Sequence, residues 1–272
     1  MKRKFLAIWT VIALASGVSF LMKGLPGGVP GNAYATPSRG TDCSKCHKSR
    51  TPTPKGFKGF TNSFMLETCD GFSSSGSNPY FVLKPGFQLT LEGVDKKQNV
   101  HLTITVLDET KTFNDLDLGG GVVTDVVTRV VEERETRDGL LAEVSRNYFA
   151  LCNRTNSVFY FGEDVDLYEG GVLVSQEGSW LAGVDEAKPG IMMPGVILLG
   201  GKYFQEVAPG VALDRAEIIS MTETVETPAG TFENCLKTLE TSALEKGKGY
   251  KYYAPGIGLI KEGALELISY SK

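Results

Sequence analysis

From Asn78 onward, apolar and polar residues alternate along the chain. Val100, Leu102, Ile104 and Val106 share one face of a segment, with His101, Thr103 and Thr105 on the other. Successive side chains of a strand point to opposite faces, so this pattern predicts a half-buried antiparallel strand. Further apolar segments follow at short intervals, over residues 122–131, 140–151, 158–161, 171–175, 202–207, 216–224, 231–241, 249–254 and 265–270. Turn-forming sequences separate them, among them Asp138-Gly139, Gly170-Gly171, Pro228-Ala229-Gly230 and Ala254-Pro255-Gly256. Roughly ten short strands with this punctuation, and no long amphipathic helix, predict a mainly β fold over residues 78–272, an antiparallel barrel or sandwich. The run from Gly178 to Gly195 breaks the alternation and reads as a long loop, of the kind that covers one end of a barrel.

The start of the chain has a different character. Met1-Lys2-Arg3-Lys4 precedes an apolar run from Phe5 to Met22, and Ala33-Tyr34-Ala35 then supplies small residues where a signal peptidase reads. Residues 1–35 are expected to be a secretory leader, giving a periplasmic or extracellular mature chain from Thr36. An uncleaved anchor is the alternative, and only in that case is a membrane expected as a partner. The leader removes four basic residues, so the mature chain carries 24 − 32 = −8 formal charges. Residues 36–58 hold six basic residues against Asp42 alone, or +5, which leaves 18 − 31 = −13 for the remainder. A basic segment thus precedes an acidic domain, and the overall acidity argues against a nucleic-acid partner.

The candidate chemistry lies in that basic segment. Cys43-Ser44-Lys45-Cys46-His47 has the C-x-x-C-H form of c-type haem attachment. Two thiols at this spacing reach the two vinyl groups of a porphyrin, and the adjacent imidazole falls beneath the iron. A zinc site needs two further ligands, and no second C-x-x-C or H-x-x-x-H follows. A thioredoxin-like dithiol needs a βαβ context, which Thr51-Pro52-Thr53-Pro54 does not offer. Over this motif and its flanks the chain resembles the c-type cytochromes. The resemblance implies one covalent haem c, with Cys43 and Cys46 as thioether positions and His47 as proximal ligand. Compact monohaem cytochromes wrap the porphyrin in helices, whereas here turn-forming residues begin four positions after His47. Residues 36–77 are therefore read as a haem-attachment segment whose haem rests on the following domain or is unusually exposed. The sixth iron position is open to His101, the only other imidazole of the mature chain, to Met65, or to water.

The β region resembles a group of uncharacterised secreted bacterial proteins in residues 160–166, 188–195 and 252–258, a likeness that assigns no reaction. Met192 and Met193 lie in one of those stretches and read as packing residues. Glu163, Asp164, Asp166 and Glu169 read as a solvated acidic hairpin tip, lacking the pattern of a calcium loop. Gly119-Gly120-Gly121 reads as a hairpin loop. No G-x-S-x-G elbow is present, so an electron carrier is favoured over an enzyme. Its expected partner is a redox protein. The alternative is a β-barrel ligand- or partner-binding protein with the haem as sensor or accessory. Sequence does not decide how Cys69, Cys152 and Cys235 pair. The preferred reading is a Cys152–Cys235 bridge with Cys69 free, against three buried thiols.

Overall fold

The computed structural model describes residues 59–271; Cys43, Cys46 and His47, the leader and its cleavage site lie outside the described residues. Thr61 pairs in parallel with Tyr203, and a single 3-10 turn follows at Leu66–Thr68. Three short strands come next: β1 (Phe72–Ser73), β2 (Gly76–Asn78) and β3 (Phe81–Leu83). A run of long strands follows, β4 (Gln88–Asp95), β5 (Gln98–Gly119), β6 (Val122–Arg137), β7 (Leu140–Cys152) and β8 (Val158–Glu169). Shorter pieces are β9 (Val172–Ser175), β10 (Trp180–Leu181), β11 (Lys188–Met193), β12 (Lys202–Phe204) and β13 (Glu206–Val207). The chain ends in β14 (Asp214–Thr227), β15 (Gly230–Ser242), β16 (Gly249–Ala254), β17 (Gly258–Glu262) and β18 (Leu265–Tyr270).

Sixteen of these strands form one antiparallel sheet that curls into a nearly closed barrel. Thirteen of them follow the order β12, β14, β15, β16, β17, β18, β4, β5, β6, β7, β8, β11, β13, while β1 pairs with β7 and β9 and β10 pair with β8 off that path. The two ends of that order meet in one segment. Lys202–Phe204 pairs with β14, and Glu206–Val207 pairs with β11. Between them the Gln205 amide donates to the Asp214 carbonyl at 2.8 Å. Closure leaves few unpaired edges, which is how antiparallel sheets avoid joining other chains. The mainly β antiparallel architecture expected from the alternation is therefore the one observed.

The run 178–195, expected as a loop, departs from that reading. It holds β10 and β11, and β11 is a wall strand pairing with both β8 and β13. Gly190 permits this: a Cβ there would stand 2.4 Å from the Gln205 carbonyl oxygen. The glycines and proline that mask the strand pattern are what let two backbones approach so closely.

The cysteine pairing is also corrected. Cys69 is bonded to Cys152, and Cys235 is the buried free thiol. Phe72 pairs with Cys152 in the β1–β7 ladder, and the Arg154 amide donates to the Cys69 carbonyl at 3.0 Å. These contacts set the Cys69 and Cys152 Cα atoms 5.0 Å apart. Cys235 lies on β15, with six strands between it and β7 in the sheet order, so the Cys152–Cys235 bridge is not formed.

Candidate functional site

The inner surface of the barrel has two characters, set by strand register. Val100, Leu102, Ile104 and Val106 of β5 turn inward, as do Leu89 and Leu91 of β4. Directly paired residues of an antiparallel ladder share a face. Val106 stands opposite Val131 of β6, but Ile104 stands opposite Glu133, Leu102 opposite Glu135 and Val100 opposite Arg137. The inward row of β7 continues the polar side with Ser145 opposite Glu133 and Glu143 opposite Glu135. On β8, Glu163 faces inward opposite Asn147. An apolar wall therefore meets a carboxyl-rich wall along the line between β5 and β6.

A few cations answer these carboxyls. Lys251 Nζ lies 2.8 Å from Glu240 and 3.5 Å from Glu262. Burial works against the Lys251 charge, but Glu240 and Glu262 outweigh it and raise its pKa. Glu240 also accepts from Gln205 Nε2 at 3.3 Å and from the Tyr253 hydroxyl at 3.4 Å. Arg137 bonds Glu135 at 2.6 Å and Asp95 at 3.1 Å. Four carboxyl oxygens are less well served. Glu133 Oε2, Glu163 Oε1, Glu206 Oε2 and Glu262 Oε2 are buried without a hydrogen-bond partner.

Their protonation follows. Burial pushes Glu133 well above the ordinary carboxylate range, with Glu262, Glu143 and Glu163 adding to the effect and Lys251 opposing it. Burial likewise raises Glu163 and Glu206, and holds Glu262 up at about 8 and Asp214 up at about 6. Burial thus shifts these interior carboxyls toward the protonated form, in which a carboxyl can donate an O–H. Glu163 departs from the expected acidic hairpin tip. It is a strand residue, 2 % exposed and turned into the barrel, while Asp164 beside it faces solvent.

One end of the barrel carries a narrow slot beneath the β2–β3 hairpin. Phe81, Val82, Phe87 and Ile257 form its half-buried rim, and Val131, Leu259, Tyr253 and Glu133 line it more deeply. The hairpin is held in place by Asn78, whose Nδ2 donates to the Asn156 and Pro194 carbonyls at 3.0 and 2.8 Å. The Gly256 amide adds a bond to the Pro79 carbonyl at 2.7 Å.

His101 stands elsewhere, on the outer face of β5, its side chain 45 % exposed. Its Nδ1 lies 2.8 Å from Glu92 Oε1 and its Nε2 lies 3.3 Å from Thr103 Oγ1. Met65 is exposed, whereas Met192 and Met193 are buried at 3 % and 0 %, as packing residues should be. Among the described residues, no group of three or more His, Cys, Asp or Glu side chains is arranged to hold a metal ion. Sequence alone hides Glu133, because Glu132-Glu133-Arg134-Glu135 has the look of a solvated charged run. The signal was parity: Val131, Glu133 and Glu135 occupy alternate positions of one strand.

No protein-family model matches the chain, and no curated protein matches it. Among solved structures, a protein of Parabacteroides distasonis described as a candidate lipoprotein aligns at 16 % identity with a TM-score of 0.36. The alignment covers 72 % of this chain and all of that one.

Proposed function

We propose that the protein is an exported c-type monohaem protein that carries single electrons. The observation that carries this reading is the sequence Cys43-Ser44-Lys45-Cys46-His47, eight residues beyond the leader's small-residue site at Ala33-Tyr34-Ala35. Cys43 and Cys46 would hold the haem through thioethers, and His47 would lie beneath the iron. Bound haem supplies one-electron chemistry at iron, and its protein tunes the potential through axial ligands and burial.

His101 is one described residue suited to the far side of that iron, with the exposed Met65 or water as the alternatives. With Glu92 accepting from Nδ1, the imidazole keeps its lone pair at Nε2, the arrangement in which histidines serve metals elsewhere. The basic segment would steer the protein toward an acidic redox partner in the periplasm or outside the cell.

The test is expression of the full chain in a host that matures c-type cytochromes. Wild type should keep one haem through a denaturing gel and show reversible oxidised and reduced spectra. A Cys43→Ser, Cys46→Ser double variant should be blank by haem stain. A haem-free wild type would overturn the reading.

A further inference from the structure

Between β11 and β12 the chain makes a short apolar tip over residues 196–199. Val196, Leu198 and Leu199 are 72 %, 65 % and 68 % exposed, while Ile197 between them packs against the core and anchors the turn. Backbone bonds fix the tip to the edge of β14. The Gly200 amide donates to the Ile218 carbonyl at 2.8 Å, and the Ile218 amide donates to the Gly201 carbonyl at 2.9 Å. The outer face of the sheet continues from there. Lys202 stands opposite Glu217 of β14, Glu217 opposite Leu239 of β15, and Leu239 opposite Tyr250 of β16, and directly paired residues share a face. Lys237 Nζ lies 5.0 Å from the ring centres of both Tyr250 and Tyr252, and Lys248 Nζ lies 5.8 Å from that of Tyr250. Lys202 and Arg215 flank the Phe60 ring in the same way, at 5.8 and 4.7 Å. Glu217, bound to Lys202, and Glu223, near Lys237, are the carboxylates set against these four cations. A basic, aromatic face with an apolar tip thus interrupts a domain that is acidic overall.

We propose that this face docks on an anionic membrane surface, with Val196, Leu198 and Leu199 entering the hydrocarbon boundary and the lysines meeting lipid phosphates. The proposal goes beyond electron transfer and rests neither on the haem nor on an uncleaved leader. Three features select a bilayer. Aliphatic side chains that stand out from a tip, and line no groove, gain most in a medium that closes around them. Tyrosines and lysines beside such a tip match the layers of the interface, where amphipathic rings sit at headgroup level and cations meet the anionic surface. The entering chain adds charge of the same sign. Thr61 pairs with Tyr203, and residues 36–58, which precede Gly59, hold six basic residues against Asp42 alone. A comparison lies within the same barrel. Val172, Leu173 and Val174 of β9 are also exposed, but at the opposite end of β8 and beside Glu169, with no cation paired to them.

The experiment is flotation of the mature protein, residues 36–272, with vesicles of phosphatidylcholine alone and with vesicles in which a third of the lipid is phosphatidylglycerol. Wild type should bind the anionic vesicles about tenfold more tightly than the neutral ones, and salt should release it. A Leu198→Ser, Leu199→Ser variant, altered only at exposed positions, should bind about tenfold more weakly. A Lys237→Gln, Lys248→Gln variant should bind more weakly and with a shallower salt dependence. A Val172→Ser, Leu173→Ser variant should bind as wild type does. Near-ultraviolet circular dichroism of all three should match wild type. Failure of wild type to bind would overturn the proposal, as would an unchanged salt dependence in the lysine variant. Unchanged binding in the Leu198, Leu199 variant would leave residues 36–58 as the attachment and overturn it too, and an equal loss in the β9 variant would remove the assignment to this face. A wild-type dimer, seen by sedimentation without lipid and dissolved by Leu198→Ser, Leu199→Ser, would give the face to a second copy and overturn the membrane reading.

Discussion

The Glu262 carboxyl lies 3.5 Å from Lys251, yet burial, with Glu240 adding to it, raises its pKa from an ordinary 4.5 to about 8. A carboxyl that binds its proton more tightly when folded stabilises the fold fully below pH 4.5. It loses that contribution as pH rises through 8. The protein should therefore melt lower at pH 8 than at pH 5, with Glu262 alone contributing about 3–4 kcal/mol to the difference. Glu262→Gln should flatten that slope in urea titrations at the two pH values, and an unchanged slope would assign the effect to other carboxyls. Removing the cation acts in the opposite direction. Lys251→Met leaves the largely buried Glu240 without its cation, and should cost about 3–5 kcal/mol at pH 7. His101 belongs at this scale too. If it fills the sixth iron position, low-spin ferric wild type should become high-spin in His101→Ala, and a low-spin variant would exclude it.

At the scale of the element, legibility followed chemistry. The inward row of β5 is apolar and is legible directly, as are the turns at Asp138-Gly139 and Pro228-Ala229-Gly230. β6 was read only over its apolar half, 122–131, because beyond Val131 its inward positions are Glu133, Glu135 and Arg137. Hydrophobic periodicity reports burial against an apolar core, and it falls silent where a barrel interior is polar. Lys251, inward on β16 between Tyr250 and Tyr252, carries no apolar signal for the same reason. β11 was hidden by Pro189 and Gly190, residues that ordinarily break strands. Its closeness to segment 202–207 gives a test. Gly190→Ala should destabilise by about 3 kcal/mol through backbone collision, while Gly249→Ala, with open space around it, should be nearly neutral. Hydrogen exchange should rise first at Lys202–Val207 in the Gly190 variant.

At the scale of the whole molecule, the Cys69–Cys152 bridge spans a sequence separation of 83 residues and staples the first described segment to β7. A Cys69→Ala, Cys152→Ala variant should lose about 4 kcal/mol in denaturant titrations, the loop-entropy value for a closure of that length. A non-reducing digest should yield a peptide joining Cys69 to Cys152, with Cys235 alkylated only after unfolding; a Cys152–Cys235 peptide would refute the observed pairing. The same staple gives the barrel a mechanical character. Tension applied at Gly59 first peels Thr61 from Tyr203 and the Phe60 ring from Phe204, where the segment Lys202–Val207 closes the wall. It then reaches Cys69 and passes through sulfur into β7, leaving β4, β5 and β6 inside a covalent loop that bears no load. A molecule stretched between residues 59 and 271 should extend about 300 Å less when oxidised than when reduced, since the loop's 83-residue span is withheld at about 3.6 Å each.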